Sequence, residues 1–141
     1  VYQKLTNGLT HNGYPTFHPS LPSCSNTSDA DFPSKTLGDD TEAVRKVVKR
    51  LVQDERKKVV VVMHSYGELV GSNAIAKELS FSHRDAAGEP GGVVHLFYLA
   101  AFVLAEGQSV MGAFGESPSN DVRVSAISMP QLEGIMVLTI A

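Results

Sequence analysis

The run Val59-Val60-Val61-Val62-Met63-His64-Ser65-Tyr66-Gly67 constrains the fold more than any other part of this sequence. Four consecutive valines suit a strand covered on both faces, as in a parallel sheet packed under helices. The period then changes at once: Leu69, Val70, Asn73, Ala74 and Leu79 fall at roughly helical spacing. A strand that becomes a helix across Ser65 and Tyr66 leaves room only for a tight turn, with a serine at its apex.

The neighbouring segments extend the alternation. "DDTEAVRKVVKRLVQDERKK" predicts a helix capped by Asp39 or Asp40, with Glu42 completing a capping box and Ala43, Val44, Val47, Val48, Leu51 and Val52 forming one apolar stripe. Its cations Arg45, Lys46, Lys49 and Arg50 fit a solvated face. "VYQKLTNGLTHNG" predicts a helix tail and "YPTFHP" a short strand, while Val93 to Leu99 predicts a second buried parallel strand. "SLPSCSNTSDADFPSKTLGDD" and "FSHRDAAGEPGG" read as loops. The expected fold is α/β, a doubly wound, mostly parallel sheet in a single domain spanning 1–141, with a poorly patterned tail over 111–141.

Composition narrows the function. A net charge of −3 and a pI near 5.9 lack the basic excess of nucleic-acid binders. The lone Cys24 excludes an internal disulfide framework and a multi-cysteine zinc site, and it reads as an inert loop thiol. There is no Gly-x-Gly-x-x-Gly after a strand, no glycine-lysine phosphate loop and no histidine pair or acid cluster with metal-ligand spacing, so no cofactor and no metal are expected. Neither a signal peptide nor a membrane span is visible, which favours the cytoplasm. Asn26-Thr27-Ser28 matches a glycosylation acceptor, a pattern short enough to arise by chance.

In a nucleophile elbow a strand ends on a serine in a strained turn, the hydroxyl projects above the sheet, and the following helix begins immediately with its N–H groups near the hydroxyl. "VVVVMHSYGELVGSNAI" resembles that core of the α/β-hydrolase superfamily, closest to an esterase-like branch with His-Ser-Tyr-Gly-Gly. "LPS" upstream and "FYLAAFVLAEGQS" downstream are similar to the same branch. The resemblance covers residues 1 to about 110 and implies serine hydrolysis of a carboxylic ester or similar acyl bond. Ser65 would be the nucleophile and the backbone N–H of Tyr66 one oxyanion donor. Glu106 is a candidate for the triad acid, with Asp121 a weaker second choice. Met63 and Glu68 depart from the family pattern, which has small residues at both places. Glu68 is expected to face solvent in the first helical turn.

The triad base is the missing part. His64 is adjacent to Ser65 on the strand and faces the other side of the sheet. His83 reads as a loop residue, His95 as a strand residue, and His11 and His18 precede the elbow, against the family's chain order. Val1 in place of Met and a sheet lacking roughly half its strands predict a piece of something longer. The alternative is a catalytically inactive α/β-hydrolase-like protein that binds a small apolar or ester-containing molecule or a partner, or a non-functional fragment. With only two or three covering helices, one sheet face is expected to stay open and to promote self-association. "IMVLTIA" at the end is expected as an exposed, aggregation-prone edge unless helices cover it.

Overall fold

The computed structural model of the chain describes residues 2–25, 27–115 and 135–140. In chain order the elements are α1 (Gln3–His11), β1 (Thr16–Phe17), α2 (Leu37–Lys49), β2 (Lys58–His64), α3 (Gly67–Ala74), α4 (Phe81–Ala86), β3 (Gly92–Leu99), α5 (Val110–Phe114) and β4 (Ile135–Ile140). The sheet runs β1-β4-β2-β3. Strands β2 and β3 are parallel, with Met63 opposite Tyr98 and His64 opposite Leu99. Strand β4 runs antiparallel to both β1 and β2, so β1, β2 and β3 share one direction and end at the same edge. In open α/β sheets that carboxyl edge is where ligands bind.

Burial alternates along β2 and sends Val59, Val61 and Met63 into the core. There they join Val44 and Val48 of α2, Leu51 and Val52 of the π-helical turn that extends α2, and Val70 and Ala74 of α3. The predicted stripe is therefore the one that packs. The cap differs from expectation: Thr36 precedes the helix, and its N–H and hydroxyl both donate to Asp39 at 2.8 Å, so the box begins three residues earlier than predicted. Those two donors hold the Asp39 carboxyl below its usual range. The reason is the first turn, Leu37-Gly38-Asp39, that the Thr36 cap adds before the stripe begins.

Strand β3 is not the doubly buried strand that its composition suggests. Among the described residues it is an edge, with His95, Phe97 and Leu99 exposed on the face away from α2 and α3. That face carries Val62 and His64 of β2 as well, and Tyr2 and Leu5 cover only part of it. Strand β4 shows the opposite deviation. Instead of an exposed edge it lies between β1 and β2, where pairing on both sides buries five of its residues, Ile135 to Thr139. Neighbouring strands, rather than covering helices, remove that hazard.

The segment read as a loop after the central helix contains α4. Ser80 caps it by accepting the His83 N–H, and the Arg84 side chain, buried, donates to the carbonyls of Gly91 and Pro90 and pairs with Glu89 at 2.7 Å. His83 is thus an exposed helical residue, not a loop residue. A helix this short is set by capping and by one buried arginine, neither of which produces apolar periodicity.

Candidate active site

Strand β2 ends at His64, α3 begins at Gly67, and Ser65 between them has φ 52°, one of three non-glycine residues with positive φ among those described. Left-handed backbone strains a side chain with a Cβ, and such strain persists only where the surroundings enforce it. Ser65 is exposed at the carboxyl edge of the sheet. Its carbonyl accepts the Glu68 N–H at 3.1 Å, closing the turn into the helix. The first turn of α3 leaves N–H groups beside Ser65 that have no carbonyl partner within the helix.

So tight a turn requires strand and helix to approach closely, and the bulk of Met63 opposes that. Gly71 resolves it. A Cβ at Gly71 would stand 2.3 Å from the Met63 Sδ, 2.8 Å from its Cγ and 3.0 Å from Ile135. Bulk on the strand is matched by its absence on the helix one turn on. Gly71→Ala is expected to cost about 1–3 kcal/mol by overpacking. Met63→Ala in the same chain should recover part of that loss. Urea melts of the two single variants and the double variant measure the coupling, and additive effects would show that these groups do not compete for the same space.

Tyr66 is half-buried, and its hydroxyl donates to Asp40 at 2.8 Å. Asp40 has no exposed surface and also takes the Ser23 N–H at 2.8 Å and the Ser23 hydroxyl. Burial, and then the adjacent Asp40 carboxylate, push the Tyr66 phenol up to about 12. A raised folded value means that the neutral phenol stabilises the fold fully below the ordinary value of 10.0, and that this stabilisation is lost as pH rises through about 12. Wild type should therefore lose stability relative to Tyr66→Phe between those two pH values in alkaline denaturation. Parallel curves would contradict the assignment.

Glu68 corrects an expectation. It is only 3% exposed, facing inward with Gly67, Val70 and Gly71. One carboxylate oxygen accepts the Ser72 hydroxyl at 3.3 Å, Ser72 lies 3.3 Å from the Tyr98 hydroxyl, and the other oxygen is buried without a hydrogen-bond partner among the described residues. The position three residues before Gly71 places Glu68 on the same inward face of α3, which a first-turn argument alone overlooks.

The histidines scatter. His64 is half-buried, its Nδ1 has no hydrogen-bond partner among the described residues, and the Tyr2 ring meets it edge-on at 5.8 Å. His18 stacks on the same Tyr2 at 6.5 Å and shares a 2.9 Å hydrogen bond with Thr6. Both lie at the carboxyl ends of parallel strands, yet no described histidine is hydrogen-bonded to Ser65. Glu106 lies exposed in the turn after β3, and no hydrogen bond joins it to Ser65 or to a described histidine. Asp121 and Asn26 lie outside the described residues. Cys24 is a free, half-buried thiol 3.5 Å from the Ser23 hydroxyl. No group of three or more candidate metal ligands and no helix long and apolar enough to cross a membrane occurs among the described residues.

Sequence comparison bears on the same region. A model of the Alpha/beta hydrolase family matches residues 2–134, nearly the full chain. The chain belongs to this family. It is 31% identical over 111 residues to the Alpha/beta hydrolase nvfD of Aspergillus novofumigatus (strain IBT 16806), a match that takes in 79% of this chain and 41% of that relative. This α/β-hydrolase chain thus spans about two fifths of the length of the curated relative it matches. No solved structure matches it. The superfamily membership expected from the sequence is accordingly established.

The site residue that sequence reasoning overlooked is Asp40. Its signal was present: Asp40 precedes Val44 by four residues and Val48 by eight, so it lies on the buried stripe of α2, where a carboxylate requires donors. Ser23 was visible only as part of "LPS", and nothing local couples it to α2.

Proposed function

We propose that this α/β-hydrolase chain carries the nucleophile of an acyl-ester hydrolase, with Ser65 attacking the ester carbonyl. The observation that carries this reading is the left-handed Ser65 backbone between β2 and α3, exposed at the carboxyl edge of the sheet. The Ser65 Oγ forms a bond to the carbonyl carbon while its proton passes to an imidazole, and the tetrahedral oxyanion accepts the Tyr66 N–H. The alkoxide leaves with that proton, and water then releases the acid from the acyl-enzyme. Glu106, in the turn after β3, is the candidate acid that orients this imidazole. The ligand is a small, largely apolar ester, and Val62, Leu99, Ile135 and Met136 make the surface beside His64 apolar.

Turnover of p-nitrophenyl acetate and butyrate by wild type and Ser65→Ala tests the reading. A fall of at least about a hundredfold in kcat/KM is expected for the variant. Equal rates would remove Ser65 from the chemistry. Absent turnover by wild type would favour the second reading, an inactive binding protein, for which the specific observation is that Ser65 is hydrogen-bonded to no described histidine.

The same reading includes self-association through the sheet face where Phe97 is 49% and Leu99 41% exposed, beside an edge of β3 that no described strand pairs with. Sedimentation at micromolar concentration should show mass increasing with concentration. A dilution-independent monomer that binds no hydrophobic dye would contradict it.

A further inference from the structure

Three elements meet at Asp40: the loop after β1, the first turn of α2, and the elbow. Oδ1 accepts the Ser23 N–H, while Oδ2 accepts the Ser23 hydroxyl and the Tyr66 hydroxyl. A carboxylate with 0% exposure is costly in a small core, and a valine would continue the stripe of Val44 and Val48 without that cost. The stabilising alternative was thus available at this position, and a specific role is what the carboxylate adds.

Its partner is the residue that follows Ser65. If Ser65 relaxed from φ 52° to the common right-handed region, the peptide between Ser65 and Tyr66 would rotate and carry the Tyr66 N–H away from the serine hydroxyl. The phenol lies at the far end of the same side chain, where an anchor resists that rotation with the greatest leverage. The anchor is a hydrogen bond to a buried ionised group, a strong kind for a neutral donor, and Asp40 is itself fixed by Ser23.

We propose that Asp40 is a positioning residue of the hydrolase site: by holding the Tyr66 hydroxyl it keeps the Ser65 turn in its left-handed conformation and the Tyr66 N–H directed at the oxyanion. The proposal rests on Ser65 being the nucleophile. It makes Asp40 no part of the proton relay, because its oxygens are occupied by Ser23 and Tyr66. The Tyr66 phenol is raised first by its own burial and then by its hydrogen bond to Asp40, and the second of these is consistent with the anchor.

Tyr66→Phe deletes the anchor and keeps the Tyr66 backbone N–H, the ring and both Ser23 bonds to Asp40. In ester turnover its kcat should fall about tenfold with KM unchanged, since a small displacement of an oxyanion donor acts on the transition state and not on ground-state binding. Asp40→Asn keeps the shape and one acceptor oxygen, so its kcat should lie between those of wild type and Tyr66→Phe. Hydrogen exchange of the peptide spanning 63 to 70, read by mass spectrometry, should be faster in both variants, while a core peptide spanning 44 to 52 is unchanged in Tyr66→Phe. An elbow peptide that exchanges at the wild-type rate in Tyr66→Phe overturns the proposal. So does an unchanged kcat in Tyr66→Phe alongside an inactive Ser65→Ala, a result that would leave the serine assignment standing. If Ser65→Ala turns over substrate as wild type does, the nucleophile assignment and this catalytic role fail together, even where faster exchange shows that the anchor is real.

Discussion

Gly92→Ala is expected to destabilise the fold by more than about 3 kcal/mol, through overpacking and a forbidden backbone conformation combined. Gly92 begins β3 with φ 151°, and a Cβ there would stand 2.4 Å from the Phe81 Cα and 2.7 Å from the Phe81 nitrogen. Both are backbone atoms of the first turn of α4, so no side-chain rotation relieves the contact. The Gly92 N–H donates to the Lys57 carbonyl at 2.9 Å, and Ser80 bridges to Val93, which ties the neighbouring backbone on both sides. Relief therefore requires moving α4 or the start of β3. Urea unfolding of Gly92→Ala beside Gly88→Ala separates steric from conformational cost: Gly88 has φ 73° but nothing within 4 Å, so its variant should lose only the strain. Equal losses would show that the approach to Phe81 does not matter.

The second large effect is at Ser65, where stability and reactivity are expected to move in opposite directions. Left-handed backbone costs a residue with a Cβ about 1–2 kcal/mol, and glycine returns about 0.5–1 kcal/mol of that as unfolded-state entropy. Ser65→Gly should therefore raise stability by up to about 1 kcal/mol, with ester turnover down by at least about a hundredfold. Ser65→Ala should lose the same activity with stability close to wild type, since alanine keeps the strain. Thermal melts and ester kinetics on the two variants provide the check. A glycine variant no more stable than the alanine variant would mean that the turn is unstrained, and would remove the main structural reason for treating it as an elbow.

What the sequence disclosed follows from where local chemistry and tertiary structure agree. The valine run and the stripe of Val44, Val48, Leu51 and Val52 announce β2 and α2 because burial on one side repeats with the period of the element. The Ser65 turn is legible because strand and helix periods meet at it with no spacer. Helix α4 is not, because Ser80 and Arg84 hold it by single interactions. The central place of β4 could not be read from "IMVLTI", since pairing with β1 and β2 is set by segments far away in the chain. Glu68 and Asp40 show the same division within the site. Both lie at helical spacing from buried residues, so their inward faces are encoded locally. Their partners differ in reach: Ser72 is one turn away from Glu68, whereas Tyr66 is 26 residues from Asp40 and Ser23 is 17.

Exposing the intact chain to a fluorophosphonate and locating the adduct by peptide mass decides whether the strained turn presents a reactive serine. One phosphonyl group per chain is expected, on Ser65, and none on Ser65→Ala. An unmodified wild-type chain beside a labelled serine hydrolase in the same tube, or an adduct on another serine, would contradict it.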